Sequence, residues 1–600
     1  EIAKYGKTYV LDPVQNALYE LENALTEEEY LESGENNYLL SFALDGSRSE
    51  ETIGLSYVDL STGEFQGTQF VEGDEEQILA SEINRLHPSE ILIPDNNEYR
   101  DRLEDLLEYH ENIAVAANPG WQFEEEEARR ILGEHLRDGL IEELGENSEL
   151  IRAAGGLVHY LDETQKQTLS HLDELSVYER EKYMILDATS QRNLELTQSL
   201  TGQDEATLMS VIDETETAMG SRRMRQWILQ PLLNEEQIRD RQDGIEWFVD
   251  NPEAIDALKE ELQHVYDIQR IVGKIGSNRA NPRDVIALRD SLDRVPEIKK
   301  LLPADGIFER LKTNLHSYES LREELHSALK DDPPAKISEG GIIKDGYSEE
   351  LDEYREAMRG GKEWIANLQE DERERTGIDS LKVGHNKVHG YYIEVTKANL
   401  DAVPDDYERR QTLTNSERYV TPELKEKEQV IFGAEEKSEA LEEELFLELR
   451  EELVDELSQL KKNASKLSDL DVLASLAQVA RERNYVRPAV NWDNKINIRE
   501  GRHPVVEEIH DEEFVPNDLV LDEENRLVVL TGPNMSGKST YIRQIALISI
   551  LAQMGAFVPA QEAEVGMIDQ IFTRVGAHDF LAGGQSTFMV EMNETADIVN

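Results

Sequence analysis

Gly532-Pro-Asn-Met-Ser-Gly-Lys-Ser539 constrains this chain more than any other stretch of it. The pattern G-x-x-x-x-G-K-[ST] calls for a buried strand before it and a helix after it. Both are written in the neighbouring residues. Leu527-Val-Val-Leu530 is a continuous apolar run, which predicts a strand covered on both faces of a parallel sheet. Behind the loop, Ile542, Ile545, Ala546 and Leu551 recur at helical spacing. Glycines in such a loop let backbone N–H groups turn inward around phosphate oxygens, at a helix N-terminus whose dipole favours anions. Lys538 is then placed to reach the β and γ phosphates, and the Ser539 hydroxyl to ligate Mg²⁺. Gly532, Pro533, Asn534, Met535, Ser536, Gly537, Lys538 and Ser539 are the expected phosphate site.

The rest of the chain is long enough for about four domains at roughly 150 residues each. Tyr38–Phe42, Gly54–Leu60 and Glu90–Ile93 read as strands, with Ser61-Thr62-Gly63 as a turn and helical stretches between. They predict an α/β domain over residues 36–170, behind an unassigned segment 1–35. From 171 to 361 the pattern turns helical, as in Leu258, Leu262, Val265, Ile268, Val272 and Ile275, with Pro231, Pro252, Pro282 and Pro303 at helix starts and stops. Residues 362–421 hold a small β-containing island, and Leu381–Val395 reads there as two short strands around glycines. Long helices resume over 422–488, with one amphipathic run from Glu435 to Leu460, and 489–600 begins the phosphate-loop domain. Cysteine is absent, which excludes disulfides and thiolate zinc sites. No stretch approaches the roughly 18 unbroken apolar residues of a membrane span.

Charge poses a harder question. Lys and Arg number 62 against 126 Asp and Glu, a formal net charge of −64. The acid is spread along the whole length, a pattern that suits solubility in concentrated salt, where self-repulsion is screened. A nucleic-acid surface must therefore be a local exception, because phosphate is repelled elsewhere. Such an exception lies at 381–397, where Lys382, Lys387 and Lys397 face a single acid, Glu394, with Tyr391 and Tyr392 interleaved. Arg409, Arg410 and Arg418 follow. These groups suit sequence-independent phosphate contacts; a solvated hairpin with buried tyrosines is the alternative. His385 and His389 are four apart, but Asn386 stands where a metalloprotease motif needs Glu, and the surroundings read as strands, so no metal site is expected. Leu581-Ala-Gly-Gly-Gln-Ser-Thr587 leads into a helical pattern and makes a second anion-binding helix start, or an ordinary loop and cap. Beside a nucleotide loop it resembles the signature of ABC-type ATPases, which touches the γ-phosphate held by a partner subunit.

Several blocks together resemble the MutS family of DNA mismatch-repair proteins. They are Asp187-Ala-Thr-Ser-Gln-Arg-Asn-Leu-Glu-Leu196, Gly220-Ser-Arg-Arg-Met-Arg-Gln-Trp-Ile-Leu-Gln-Pro231, Lys382–Val395, Arg410-Gln-Thr-Leu-Thr-Asn-Ser-Glu-Arg-Tyr419, Gly501-Arg-His-Pro-Val-Val-Glu507, Gly532–Thr540, Ile571-Phe-Thr-Arg-Val-Gly576 and Ser586-Thr-Phe-Met-Val-Glu-Met592. The resemblance implies a multidomain α and α/β fold: a connector domain, a helical core with long levers, an inserted DNA clamp with hairpin elements, and the start of a P-loop ABC-type ATPase domain. It implies that Phe514 and Val515 flank the adenine, that Asn534, Lys538, Ser539 and Thr540 hold phosphates and Mg²⁺, and that Gly584, Ser586 and Thr587 act across a dimer. Arg410 and Asn415 match clamp positions that touch the DNA backbone, and Lys387 and Arg409 join them on charge. Thr414 stands where relatives often carry Lys, which puts one phosphate contact in doubt. His578 and Phe580 stand where the family often has a small and an acidic residue.

The function so implied is ATP-dependent DNA mismatch repair in the cytoplasm, at the nucleoid. ATP and Mg²⁺ are the implied cofactors; duplex DNA, a second copy of the chain and a MutL-type protein are the implied partners. Two family parts are not found in the sequence: the mismatch-reading domain with its Phe-x-Glu element, and the Walker B carboxylates, without which the 600 residues alone are expected not to hydrolyse ATP. A recombination relative without mismatch reading and a scaffold with a degenerate nucleotide site are the rival readings. A transporter's ATPase cassette would share the loop and Gly583-Gly-Gln585 but leave the helical arms and the island unexplained.

Overall fold

The computed structural model describes residues 8–12, 17–21, 34–45, 52–71, 75–96, 113–165 except 138 and 146, 169, 172, 174–200, 206–386, 390–509, 514–533 and 536–574. The chain divides into two compact units. The first comprises Glu1–Arg279, Asp290–Ser317 and Glu456–Asn600, and the second Ala280–Arg289 with Tyr318–Asp455.

In the first unit, Thr8–Asp12 and Ala17–Leu21 pair as an antiparallel hairpin inside the segment that carried no sequence assignment. A six-stranded mixed sheet follows, in the order Ala114–Asn118, Glu90–Pro94, Tyr38–Asp45, Thr52–Asp59, Glu64–Val71, Ser176–Val177. Thr52–Asp59 is buried at every position, as a strand covered on both faces must be. Helix Ser148–Gln165 crosses one face, and Gly54 is what lets it in: a Cβ there would lie 1.9 Å from the backbone carbon of Glu149. The edge strand Ser176–Val177 pairs in parallel with Gln66 and Gly67. It lies beyond residue 170, the expected end of this domain, because two residues are too few to carry a readable period.

The helical core is built from Ala218–Leu229, Glu235–Asp250, Pro252–Leu262 and Ile268–Gly276, packed on Leu457–Glu482. Pro252 occupies the first turn of its helix, where its missing N–H costs nothing. Asp471 on the long helix accepts hydrogen bonds from the backbone N–H of Glu216 (3.0 Å) and Thr217 (2.9 Å) and from the Thr217 hydroxyl (2.7 Å). It thereby caps the entry to Ala218–Leu229. A second sheet in this unit orders Ala489–Asn491, Glu562–Gly566, Ile496–Gly501 and Asn517–Leu521. The short parallel pair Ile185–Leu186 with Gln570–Ile571 joins the core to this region.

The second unit is dominated by two long helices, Glu349–Thr376 and Pro422–Asp455. At 1.5 Å per residue the latter is about 50 Å long. The domain boundary expected after Gly361 falls inside Glu349–Thr376, which ends only at Gly377 in the left-handed conformation. Gly360-Gly361 does not break the helix, because Gly361 serves packing: a Cβ there would come within 2.4 Å of the Ile431 side chain. The amphipathic run expected to continue through Leu460 is likewise two helices, parted at Glu456 where the chain changes unit. A buried ionic joint locks the pair. Glu442 accepts from the Ile342 and Ile343 N–H groups (2.5 and 3.2 Å) and from Arg355 Nη2 (2.7 Å), and Arg355 also reaches Asp345 at 2.7 Å.

Between the two helices the chain forms a four-stranded antiparallel sheet, ordered Lys382–Asn386, Gly390–Thr396, Ser416–Val420, Glu408–Thr412. Ile393, Val395 and Tyr419 share one face of the sheet and cluster, with Val420 at the strand end, among Ile365, Leu368 and Leu424. No helix among the described residues is long and apolar enough to cross a membrane.

Candidate functional site: a phosphate loop and a basic sheet

Helix Lys538–Met554 follows directly on the expected phosphate loop. Gly537, at φ +83°, caps its N-terminus, a conformation other residues adopt only with strain. Leu547, Ile548, Ile550, Leu551 and Met554 bury the helix's far half. Lys538 Nζ donates to the carbonyl oxygens of Gly532 and Pro533, both at 2.7 Å, and Ser536 Oγ donates to Pro533 O at 2.8 Å. The ammonium is thus folded over its own loop at the helix N-terminus, where phosphate oxygens are better partners than carbonyls for a full charge. Ser539 is exposed and Thr540 half-buried at that end. Asn534 and Met535 lie outside the described residues, as do Gly584, Ser586 and Thr587.

The strand expected at Leu527–Leu530 is not formed. These residues carry no regular structure and stand 82, 46, 77 and 40% exposed. A strand exists only through hydrogen-bonded neighbours, and no strand among the described residues pairs with this run. Phe514 is half-buried and Val515 is 76% exposed. They are tied to the loop indirectly: Asn517 Nδ2 donates to Val515 O at 2.9 Å, and the Tyr541 hydroxyl of the loop helix donates to Asp518 O at 2.9 Å.

Several residues that anchor the loop helix are silent in the sequence because their partners are remote. Arg543 pairs with Glu195 at 3.2 Å, inside one of the quoted blocks. His503, buried beside Arg543, has its pKa pushed down to about 4, by burial first and by the guanidinium second. Its Nδ1 accepts from Val506 N at 3.2 Å, which requires the unprotonated nitrogen. Gln553 clips the other end, donating to Leu232 O (3.1 Å) and Ile568 O (2.9 Å) and accepting from Ile568 N (2.8 Å).

The basic sheet of the second unit is less cationic than its composition. Arg418 is committed to Glu394 at 3.0 Å and Gln411 at 3.0 Å, and lies over the Tyr392 ring at 3.9 Å. Arg409 is 63% exposed and sits 3.7 Å from Glu417 across the strand pair. Arg410 is exposed at the register shift between Arg409 and Gln411, and Asn415 is exposed in the turn, its carbonyl accepting from Lys397 N at 3.1 Å. Lys387 and His389 lie outside the described residues. His385 packs on Tyr391, ring centroids 4.7 Å apart, with Phe432 beside it. Glu428 of helix Pro422–Asp455 accepts from Tyr391 N at 2.7 Å and pins the hairpin to the helix.

Residues 37–173 match the family model for MutS domain II, 189–477 that for MutS domain III, and 528–600 that for MutS domain V. The chain is 47% identical over 582 residues to the DNA mismatch repair protein MutS of Halothermothrix orenii, covering 96% of this chain and 64% of that protein. Against the protein of that name from Alkaliphilus oremlandii it is 45% identical over 579 residues, covering 95% and 65%. Against that from Pelotomaculum thermopropionicum it is 46% identical over 584 residues, covering 96% and 67%. The chain thus spans about two thirds of the length of the relatives it matches. With three domain models in order and identity of this depth along nearly all its residues, the chain belongs to the MutS family.

Proposed function

We propose that the protein grips duplex DNA in mismatch repair, the process named for its relatives, and couples that grip to ATP binding and hydrolysis. The observation that carries this reading is the Lys538 ammonium held over Gly532 and Pro533 at the N-terminus of a 17-residue helix. A triphosphate would suit this place, because a positive helix end and a full positive charge lie side by side there. Gly532–Thr540 would hold the phosphates, the Ser539 hydroxyl would ligate Mg²⁺, and Phe514 and Val515 would flank the adenine. Bound Mg²⁺ would neutralise charge between the β and γ phosphates. Gly584, Ser586 and Thr587 would complete a partner copy's site, which makes the protein a dimer. Lys387, Arg409, Arg410 and Asn415 would contact DNA phosphates without reading sequence. A MutL-type partner and a place at the nucleoid in the cytoplasm complete the proposal.

The test is duplex affinity with and without ATP, for the protein and for Lys538→Ala. ATP should change the affinity of the former several-fold and leave the latter unmoved. An ATP response that survives Lys538→Ala would overturn the assignment.

A further inference from the structure

A cavity of about 610 Å³ opens within the first unit, bounded by the edge of the six-stranded sheet, helix Ala218–Leu229 and the start of helix Leu457–Glu482. It shares no residue with the phosphate loop. Its walls invert the charge balance of the chain. Seven basic residues line it against three acidic ones, in a sequence where acids outnumber bases two to one.

Most of those cations are already committed. Arg222 makes a two-pronged contact with Asp267 at 2.8 and 2.7 Å, and Arg85 pairs with Glu82 at 2.5 Å. Arg223 donates to Ser465 Oγ (2.6 Å) and Gln226 Oε1 (2.7 Å) and pairs with Asp469 (3.1 Å), which fixes the spacing of the two helical walls. Lys466 also pairs with Asp469, at 3.1 Å. The surplus rests on Arg225 and Lys462. Neither makes a hydrogen bond or ion pair with another described residue, and Glu35 is the acid whose field reaches Arg225. Burial pulls the pKa of Arg225 below its usual value. An arginine nevertheless stays charged, so a half-buried guanidinium without a bonded anion is a standing cost that an incoming anion relieves.

The chemistry selects the class of anion. The uncommitted cations come from two different helices, so the partner must carry charge on more than one centre. Hydroxyl and amide groups, among them Ser465 and Gln226, stand on the same walls. The volume lies in the range of small-molecule sites and excludes a duplex. Glu64 on the sheet wall opposes an anion, but burial raises its pKa and so weakens its hold on charge. We propose that this cavity binds a compact polyphosphate group, either free or as the triphosphate of a nucleotide, with Arg225 and Lys462 as the charged contacts and Ser465 and Gln226 as neutral donors.

The test uses the Lys538→Ala protein, in which the phosphate loop no longer contributes, and titrates tripolyphosphate, ATP and adenosine by calorimetry. Saturable binding of tripolyphosphate and ATP, with none of adenosine, is expected; tighter binding of ATP than of tripolyphosphate would identify a nucleotide as the source. Arg225→Gln and Lys462→Gln should each weaken binding about tenfold, the effect of losing one charge-assisted contact. Lys300→Gln, at an exposed side chain that does not line the cavity, should do nothing. Should Arg225→Gln fold poorly, Lys462→Gln decides together with a second readout. Tripolyphosphate should slow acylation of Lys462 by an N-hydroxysuccinimide ester, measured by mass spectrometry, without slowing that of Lys300. No saturable binding, or binding indifferent to Lys462→Gln with no protection of Lys462, would overturn the proposal.

Discussion

The phosphate loop and the basic sheet are both candidate phosphate-binding surfaces, yet they are held in opposite ways. Lys538 bonds to carbonyls five and six residues back, so the loop's geometry is written within one short stretch. The sheet depends on distant residues: Tyr391 is pinned by Glu428, and the helix pair carrying the sheet is locked by Arg355 and Glu442, 87 positions apart. A motif can therefore be read for the first and only a composition for the second. The loop should tolerate loss of its key side chain, while the lever pair should not.

The largest effect is expected at Glu442. Removing its carboxylate leaves Arg355 with Asp345 and the Ile343 carbonyl and frees two buried N–H groups, so Glu442→Ala should cost about 3 kcal/mol. Hydrogen exchange at the Ile342 and Ile343 amides reads this in the second unit alone. A loss under about 1 kcal/mol would mean that apolar packing, not the ionic joint, locks the helices.

Next comes the sheet's charge. Replacing Lys387, Arg409 and Arg410 together by Ala should flatten the dependence of log duplex affinity on log salt by up to about 3 units. Arg418→Ala should leave that slope unaltered, since Glu394 and Gln411 already hold the guanidinium. Equal slopes for the triple variant and the parent would place the DNA-contacting surface elsewhere.

The third effect is a difference between two opposed titrations in the first unit. His503 has its pKa lowered to about 4, so the unfolded chain binds the proton more tightly, and stability is lost as pH falls from about 6.5 toward 4. Asp471 has its pKa raised to about 6 by burial, so the folded chain binds the proton more tightly, and stability is gained as pH falls from about 6 toward 4. The two slopes oppose each other over that window. His503→Gln should remove one, leaving a variant that gains stability relative to the parent as pH drops from 6.5 to 4.5 in paired thermal melts. Parallel pH profiles would show that His503 is protonated in the fold.

The smallest effect is at the loop. Among the described residues the Lys538 ammonium bonds only to its own loop, so Lys538→Ala should move the midpoint of thermal unfolding by less than about 0.5 kcal/mol equivalent. A large shift would erase the contrast between the two surfaces.

The same contrast explains what the sequence made legible. Helix Lys538–Met554, the strands near Tyr38, Thr52 and Glu90 and the paired strands around Gly390 all show in local spacing, because their periods and turn residues are local. Leu527–Leu530 reads as a strand from its composition and yet forms none, since pairing belongs to neighbours and not to the run itself. The domain boundary read after Gly361 falls within a helix, where that glycine is a contact point for Ile431. The charge of Arg418 reads as available and is spent on Glu394. Asp471 and Gln553 carry no signal at all, for each acts through groups far away in sequence, and His503 stands in a quoted block that shows nothing of its burial beside Arg543.

Helix Lys538–Met554 is fastened at more than one point along its length. Near its start Tyr541 holds the strand Asn517–Leu521, midway Arg543 holds Glu195, and at its end Gln553 holds Leu232 while the Met554 carbonyl accepts from Arg241. A helix of 17 residues spans about 25 Å, so these contacts tie its two ends to different parts of the fold. Lys538 and the Gln553–Leu232 contact thus lie at opposite ends of one helix. Leu232 sits one residue past Pro231, where helix Ala218–Leu229 gives way to the bridge with Tyr183. One helix therefore joins the loop to the helical core, and a substitution at either end is felt by an element that both ends share.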